Sequence, residues 1–129
     1  MAVEYAIKNG FKEIEFWGAL GDRIDHTIFN ISLLYKIHKE GIRGLILHPP
    51  FYIFLIDKYY KFKKRDKGVV SFYPITFEIK NLKIKNLKYE LNGENIYFGS
   101  SITLSNEFIG KEGEIKFDEG LILAISESL

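Results

Sequence analysis

The chain has 129 residues, 47% of them hydrophobic and 16% aromatic, with three histidines, no cysteine and a formal net charge of +1. Such a length suits one ordinary domain or two small ones that share support, and the composition lies far from the disordered regime. Lack of cysteine excludes disulfides, thiolate-held zinc and iron–sulfur clusters, three histidines leave little for an all-histidine metal site, and the near-neutral charge supplies no global field for nucleic acid; a hard cation held by carboxylates stays open.

Met1 to Asn9 reads as a helix with Val3, Ala6 and Ile7 on one side, stopped by Gly10. "KEIEFW", residues 12–17, reads as a strand, "GALGD", residues 18–22, as a glycine turn, and Ile24 to Glu40 as a helix ended by Gly41. "GLILH", residues 44–48, is a short apolar strand of the kind buried on both faces of a parallel sheet. That order predicts a right-handed βαβ crossover. Ile24, Ile28, Ile31, Leu34 and Ile37 make one broad apolar surface, and Phe29, Leu33 and Tyr35 widen it, so the helix is expected to be covered nearly all round, between a sheet and a partner. Two parallel strands with two helices cannot close a core. Residues 1–48 are therefore expected to be the end of something larger, completed by preceding sequence or by another chain.

Past Pro49-Pro50 the pattern turns all-β. "FYIFLI", "GVVSFYPI", "LKIKNLKYEL", "NIYFGSSITL", "GEIKFD" and "GLILAI" are short runs separated by Gly, Asn, Asp or Lys, spaced as in a sandwich or a curled antiparallel sheet. Asn92-Gly93 predicts a hairpin turn, because both residues tolerate positive φ. Ile84, Leu87, Tyr89 and Leu91 do not share one parity, so a bulge near Asn86 is expected to keep them all inward. The expected fold class is thus α/β followed by all-β, with a partial parallel, Rossmann-like unit over residues 1–48 and an antiparallel β-sandwich over residues 49–129. "KYYKFKKRDK", residues 58–67, interleaves basic and aromatic groups as a single-strand binder does, but a half-exposed strand and its turn look the same, and nucleic acid is not expected as a partner. No run approaches a membrane span and the first residues lack the order of a signal peptide, so the expectation is a cytoplasmic protein without a membrane partner.

Two stretches carry chemistry. "GALGDRIDHTIFN", residues 18–30, sits where a strand leads into a helix N-terminus, the place where open α/β sheets gather anionic ligands. Gly18 and Gly21 permit close backbone approach, and the planar fork of Arg23 suits phosphate or carboxylate. Asp25 is open to capping amides or to holding a metal or ligand amine, and His26 to proton transfer or a local carbonyl. The plain alternative is an N-capped helix with a surface Arg23–Asp25 pair, and Asn30 alone reads as a satisfied core amide. "FGSSITLSNEFIG", residues 98–110, groups Ser100, Ser101, Ser105, Asn106 and Glu107, small donors and acceptors able to read a heteroaromatic edge, or else a polar turn with Asn106 bonded locally.

"GALGDRIDHTIFNISLL", followed at a distance by "LNGENIYFGSSITLSNEFIGKEGEIKFDEGLILAI", resembles the C-terminal two thirds of bacterial thiamine pyrophosphokinases. The resemblance implies transfer of a pyrophosphoryl group from ATP to thiamine, giving thiamine diphosphate and AMP, with magnesium as cofactor. It also implies a homodimer with the thiamine site at the subunit interface. By matching positions it implies a catalytic role for Arg23 and Asp25, nucleotide or phosphate contacts at Gly21, Arg23 and Asn30, and thiamine contacts at Ser105 and Asn106, to which Ser101 is added. Asp22 stands in place of the second glycine of the family's usual pair, altering the turn or adding a carboxylate. The aspartate-rich motifs that hold magnesium and the ATP phosphates in the family are expected upstream of residue 1, so the chain reads as an inactive fragment of the enzyme. The alternative is a non-enzymatic thiamine-binding or dimerisation module.

Overall fold

A computed structural model describes residues 2–17 and 23–129, the first two of them in backbone only. The chain divides into two compact units, Met1–Leu55 and Ile56–Leu129.

The first unit runs α1 (Ala2–Lys8), β1 (Glu13–Trp17), α2 (Ile24–Lys39), β2 (Arg43–His48) and β3 (Phe51–Ile56), the last residue of which opens the second unit. Both helices stop where expected. Gly10 and Gly41 take φ of +75° and +74°, which a side-chain-bearing residue adopts only with strain, and the Gly41 N–H donates to the His38 carbonyl at 2.9 Å. β1 lies parallel to β2, with Phe16 opposite Ile46, and β2 turns back antiparallel into β3, with Leu47 opposite Tyr52, so the strands form a mixed arrangement in the order β1-β2-β3. Leu33, Leu34 and Ile37 of α2 are buried with Ile46 of β2.

Gly44 fixes the approach of helix to strand. A Cβ added there would lie 2.4 Å from Ile37 Cδ1 and 2.7 Å from Leu34 Cδ2, well inside van der Waals contact. Within this chain the cover expected all round the helix is met along Leu33, Leu34 and Ile37, while Ile24 is 74% exposed, Ile28 61% and Phe29 52%, the side that the expectation assigns to a partner or to preceding sequence. α1 is tied to α2 by Glu4, whose carboxylate lies 3.0 Å from Lys36 Nζ. The Lys36 ammonium, by hydrogen bond and then by attraction, holds the Glu4 carboxyl below its ordinary value. This contribution is present above the unfolded carboxyl range and is lost as pH falls through the lowered value.

The second unit is all-β. β4 (Tyr59–Lys61), β9 (Glu114–Lys116), β6 (Glu78–Lys85) and β7 (Leu91–Tyr97) form an antiparallel sheet in the order β4-β9-β6-β7. β10 (Ile122–Ser126) pairs antiparallel with β5 (Val69–Pro74), and β5 with the two-residue β8 (Asn106–Glu107). Alternation sends Phe72, Ile79, Leu82, Ile84, Ile96, Ile115 and Ile122 inward. At the centre Phe62 meets Tyr60 and Phe108 edge-on, with ring centroids 4.8 Å and 5.5 Å apart. The basic–aromatic run of residues 58–67 is accordingly divided: Phe62 is buried, Tyr60 half-buried, and Tyr59 faces outward.

Three expectations fail here. Asn92-Gly93 is not a turn but lies inside β7. Register is kept there by two opposed irregularities, an extra residue in β6 between Ile79 and Leu82, where Asn81 takes φ +55°, and Gly93 at φ +108° between the Leu82–Glu94 and Lys83–Asn92 pairs. "LKIKNLKYEL" is not one bulged strand. It is the end of β6, the true turn at residues 86–90, and the first residue of β7. Asn86, at φ +62°, starts that turn, and its N–H donates to the Glu90 carboxylate. Leu87 bridges to Phe108 while Tyr89 points outward, so the four apolar residues have no need to share a face. Likewise "NIYFGSSITL" leaves the ladder after Tyr97, and residues 98–105 form a loop.

Gly44→Ala should force Ile37 and Leu34 aside and lower the unfolding free energy by about 1–3 kcal/mol. A shifted urea midpoint with an unchanged slope is the expected readout. Unaltered stability would mean that the helix does not rest on this glycine.

Candidate functional site

Two groups of polar residues are set up, one in each unit. In the first unit Arg23 precedes α2 in an extended conformation, φ −93° and ψ 112°, and its carbonyl accepts from the Thr27 N–H at 3.1 Å and the Thr27 hydroxyl at 3.2 Å. Neither Arg23 nor Asp25 caps the helix with a side chain, so the capping role considered for Asp25 is not what the structure uses. Instead Arg23 clamps Asp25 in a fork, with Nε to Oδ1 at 3.2 Å and a terminal nitrogen to Oδ2 at 2.8 Å. Both side chains are more than 60% exposed, and a pair so placed adds little to stability. What it does is hold a guanidinium at the positive end of α2, with three of its donor hydrogens still outward. Asn30, half-buried, follows Arg23 by seven residues, two helical turns, and so lies on nearly the same side of α2. Gly18, Gly21 and Asp22, the glycine turn of the sequence reading, lie outside the described residues.

In the second unit Asn106 is 3% exposed and makes three side-chain hydrogen bonds. Its Nδ2 donates to the Tyr89 carbonyl at 2.8 Å, while its Oδ1 accepts from the Tyr89 N–H at 3.0 Å and from the Glu107 N–H at 2.9 Å. A side-chain amide thus makes with Tyr89 the two bonds that a facing peptide of a neighbouring strand would make. This stitches β8 to the 86–90 turn on one edge while β5 pairs with its other edge. Of the local bonding considered for Asn106 only the Glu107 bond is present; the other two reach a turn 17 residues away.

Next to this anchor Ser105 takes φ +57°, one of only three side-chain-bearing residues with positive φ among the described residues. The other two are asparagines, which tolerate that region; a serine there carries strain that its surroundings must maintain. Its N–H donates to the Ser71 hydroxyl of β5 at 2.8 Å. Its own hydroxyl has no partner among the described residues and is exposed. Thr103, buried two residues before, donates its hydroxyl to the Phe72 carbonyl and accepts the Phe72 N–H through its own carbonyl. Residues 98–105 are thereby held along β5, with Ser101 exposed in the same loop.

Sequence reasoning missed the exposed aromatics of this unit. Tyr73 shares a strand face with Ser71 and is 40% exposed, Phe98 is 69% exposed, and Phe77 meets Tyr97 edge-on at 6.0 Å. Alternation along "VVSFYP" was the signal that would have placed Tyr73 beside Ser71. Among the described residues no group of three or more His, Asp or Glu is placed to hold a metal ion. No described helix is long and apolar enough to cross a membrane.

The fold is mixed α/β; one unit carries a helix-terminal arginine and the other an exposed, strained serine on a β layer. Comparison with known proteins puts both in one context. Residues 56–122 match the family described as thiamin pyrophosphokinase, vitamin B1 binding domain, and residues 1–46 match the one described as thiamin pyrophosphokinase, catalytic domain. The chain belongs to the thiamin pyrophosphokinase family. It is 32% identical over 127 residues to a thiamine pyrophosphokinase of Bacillus subtilis, covering 97% of this chain and 59% of that relative. A crystal structure of the Bacillus subtilis thiamine pyrophosphokinase superposes with a TM-score of 0.90 at 31% identity, over 97% of this chain and 59% of the other. One from Geobacillus thermodenitrificans gives 0.83 at 26%, over 97% and 58%. The chain therefore spans about three fifths of the length of the relatives it matches.

Because the Arg23–Asp25 pair is solvent-exposed, the Arg23→Ala and Asp25→Ala exchanges should each change the melting free energy by less than about 1 kcal/mol. A larger loss in calorimetry would assign the pair to stability and not to a ligand.

Proposed function

We propose that this chain carries the thiamine-binding layer and the phosphate-facing arginine of an enzyme that transfers a pyrophosphoryl group from ATP to the thiamine hydroxyl, giving thiamine diphosphate and AMP. The observation that supports this most is the co-linear match of both domain families, in order, along the chain. The first residues, 1–48, then read as part of a Rossmann-like nucleotide unit and residues 49–129 as a β-sandwich for the vitamin.

In this reading the residues divide the work by chemistry. Arg23, with Gly21 and Asn30, faces the nucleotide phosphates, where a planar guanidinium offsets charge as the thiamine oxygen approaches phosphorus in line. Asp25 orients Arg23. The free Ser105 hydroxyl and the exposed Ser101 read polar atoms of the vitamin, and the family's asparagine, Asn106 here, acts by fixing Ser105 in its left-handed conformation. Tyr73 and Phe98 offer apolar cover to an aromatic ligand. In this reading magnesium accompanies the ATP, and Arg23, with Asp25 committed to holding it, is the described group that meets phosphate charge. In this reading the enzyme is cytoplasmic, and a homodimer bringing the layers of two subunits together is the assembly in which such a split site works.

Titration calorimetry with thiamine tests the reading without requiring turnover. Saturable binding is expected, weakened about tenfold by Ser105→Ala at unchanged melting temperature, since one hydrogen bond of about 1.4 kcal/mol is lost. Asn106→Ala should instead lower stability by about 1–3 kcal/mol, because it leaves the Tyr89 peptide unpaired. Absence of thiamine binding, or affinity indifferent to Ser105, would contradict the assignment.

A further inference from the structure

The outward face of the β4-β9-β6 layer carries lysines in an arrangement that the fold does not explain. Lys83 of β6 stands directly opposite Lys116 of β9, and Lys116 directly opposite Tyr59 of β4. Lys85 stands opposite Glu114. Register partners point to the same side of a sheet, and Ile84 and Ile115 between them point into the core, so all five polar side chains share the outer face. Together they line an open concavity of about 120 Å³.

Like charges directly opposed across strands repel, and a folded protein ordinarily relieves this with a carboxylate. The same unit does so elsewhere. Lys61 meets Glu112 at 2.6 Å, Lys80 meets Glu119 at 3.3 Å, and Lys88 meets Glu107 at 3.1 Å. Lys83, Lys85 and Lys116 have no such partner among the described residues. Glu114, the register partner of Lys85, is the obvious candidate, yet its Oε2 accepts the Tyr59 hydroxyl at 2.9 Å. The phenol draws the carboxylate toward β4 and away from the lysines. Three ammonium groups against one carboxylate leave a local charge of +2, the complement of a phosphate dianion, and nothing in the sheet supplies it.

We infer that this face is a binding site for a small phosphate-type dianion, held by Lys83, Lys85 and Lys116, with Tyr59 as the positioning residue that keeps Glu114 out of the way. It shares no residue with the groups around Arg23 and Ser105 and does not depend on the function proposed above.

Inorganic phosphate at low ionic strength is the probe, followed by amide chemical shifts. Saturable shifts at residues 83–85 and 114–116 are expected, together with a phosphate-dependent rise in melting temperature. The double variant Lys83→Ala/Lys116→Ala should fold, since it removes a repulsion, and should bind at least about tenfold more weakly. The control Lys80→Ala/Lys88→Ala, with the same change of net charge, should bind as the parent does. Tyr59→Phe should weaken binding by about threefold by releasing Glu114 toward the lysines, and Tyr59→Phe/Glu114→Gln should restore it, which a merely structural tyrosine would not allow. Vesicles containing phosphatidate, run in parallel, separate a lipid headgroup from free phosphate as the source. Binding in either arm that Lys83→Ala/Lys116→Ala abolishes supports the site. Equal weakening by the control pair, or no binding in either arm, overturns it.

Discussion

One buried amide organises the β layer. β8 is two residues long, too short to hold its place by ladder bonds, and the Asn106 side chain supplies the missing edge by bonding both polar groups of the Tyr89 peptide. Everything exposed nearby follows from that bond. The 86–90 turn is fixed in space, Glu107 is set to meet Lys88, and Ser105 is carried into a left-handed conformation beside Ser71. A strained serine persists only where its neighbours over-determine it, and here Thr103 on one side and Asn106 on the other do so. The buried asparagine thus spends three of its four hydrogen-bonding positions within the fold, while the serine before it keeps an exposed hydroxyl.

The first unit solves a different problem, bringing a helix N-terminus with an arginine onto the end of a parallel strand pair. Gly44 permits the close approach of α2, and the rise of the helix then dictates where Arg23 and Asn30 lie. Because the Arg23–Asp25 fork is exposed, its energetic weight is small and its directional weight large. Such a group is suited to a ligand that brings its own negative charge.

Local rules made the helices and the parallel pair legible. Apolar spacing, Gly10 and Gly41 at the stops, and a continuous apolar run at β2 all act within a few residues. The β layer was harder, since turn preference at Asn92-Gly93 was outweighed by tertiary pairing: the Asn81 and Gly93 irregularities cancel in register and let β7 run straight through a dipeptide that in isolation turns. Asn86 was correctly singled out as irregular, but it marks a turn and not a bulge, because Leu87 is claimed by Phe108 from a distant segment. The pairing of Ser105 with Asn106 was visible through resemblance. Their different bonding was not, because the partner that occupies Asn106 is 17 residues away and nothing local announces it. Lysine alternation along "LKIKNLK" was equally plain, but its consequence needed the cross-strand register that sets Lys83 against Lys116.

Hydrogen exchange at the Tyr89 amide tests the central claim most directly. If the Asn106 side chain truly replaces a strand edge, this turn amide should exchange only through opening of the whole β unit, with the same protection as the buried strand amide of Ile84. Rapid exchange at Tyr89 while Ile84 stays protected would show that the amide clamp is not closed in solution, and the account of how Ser105 is presented would be wrong.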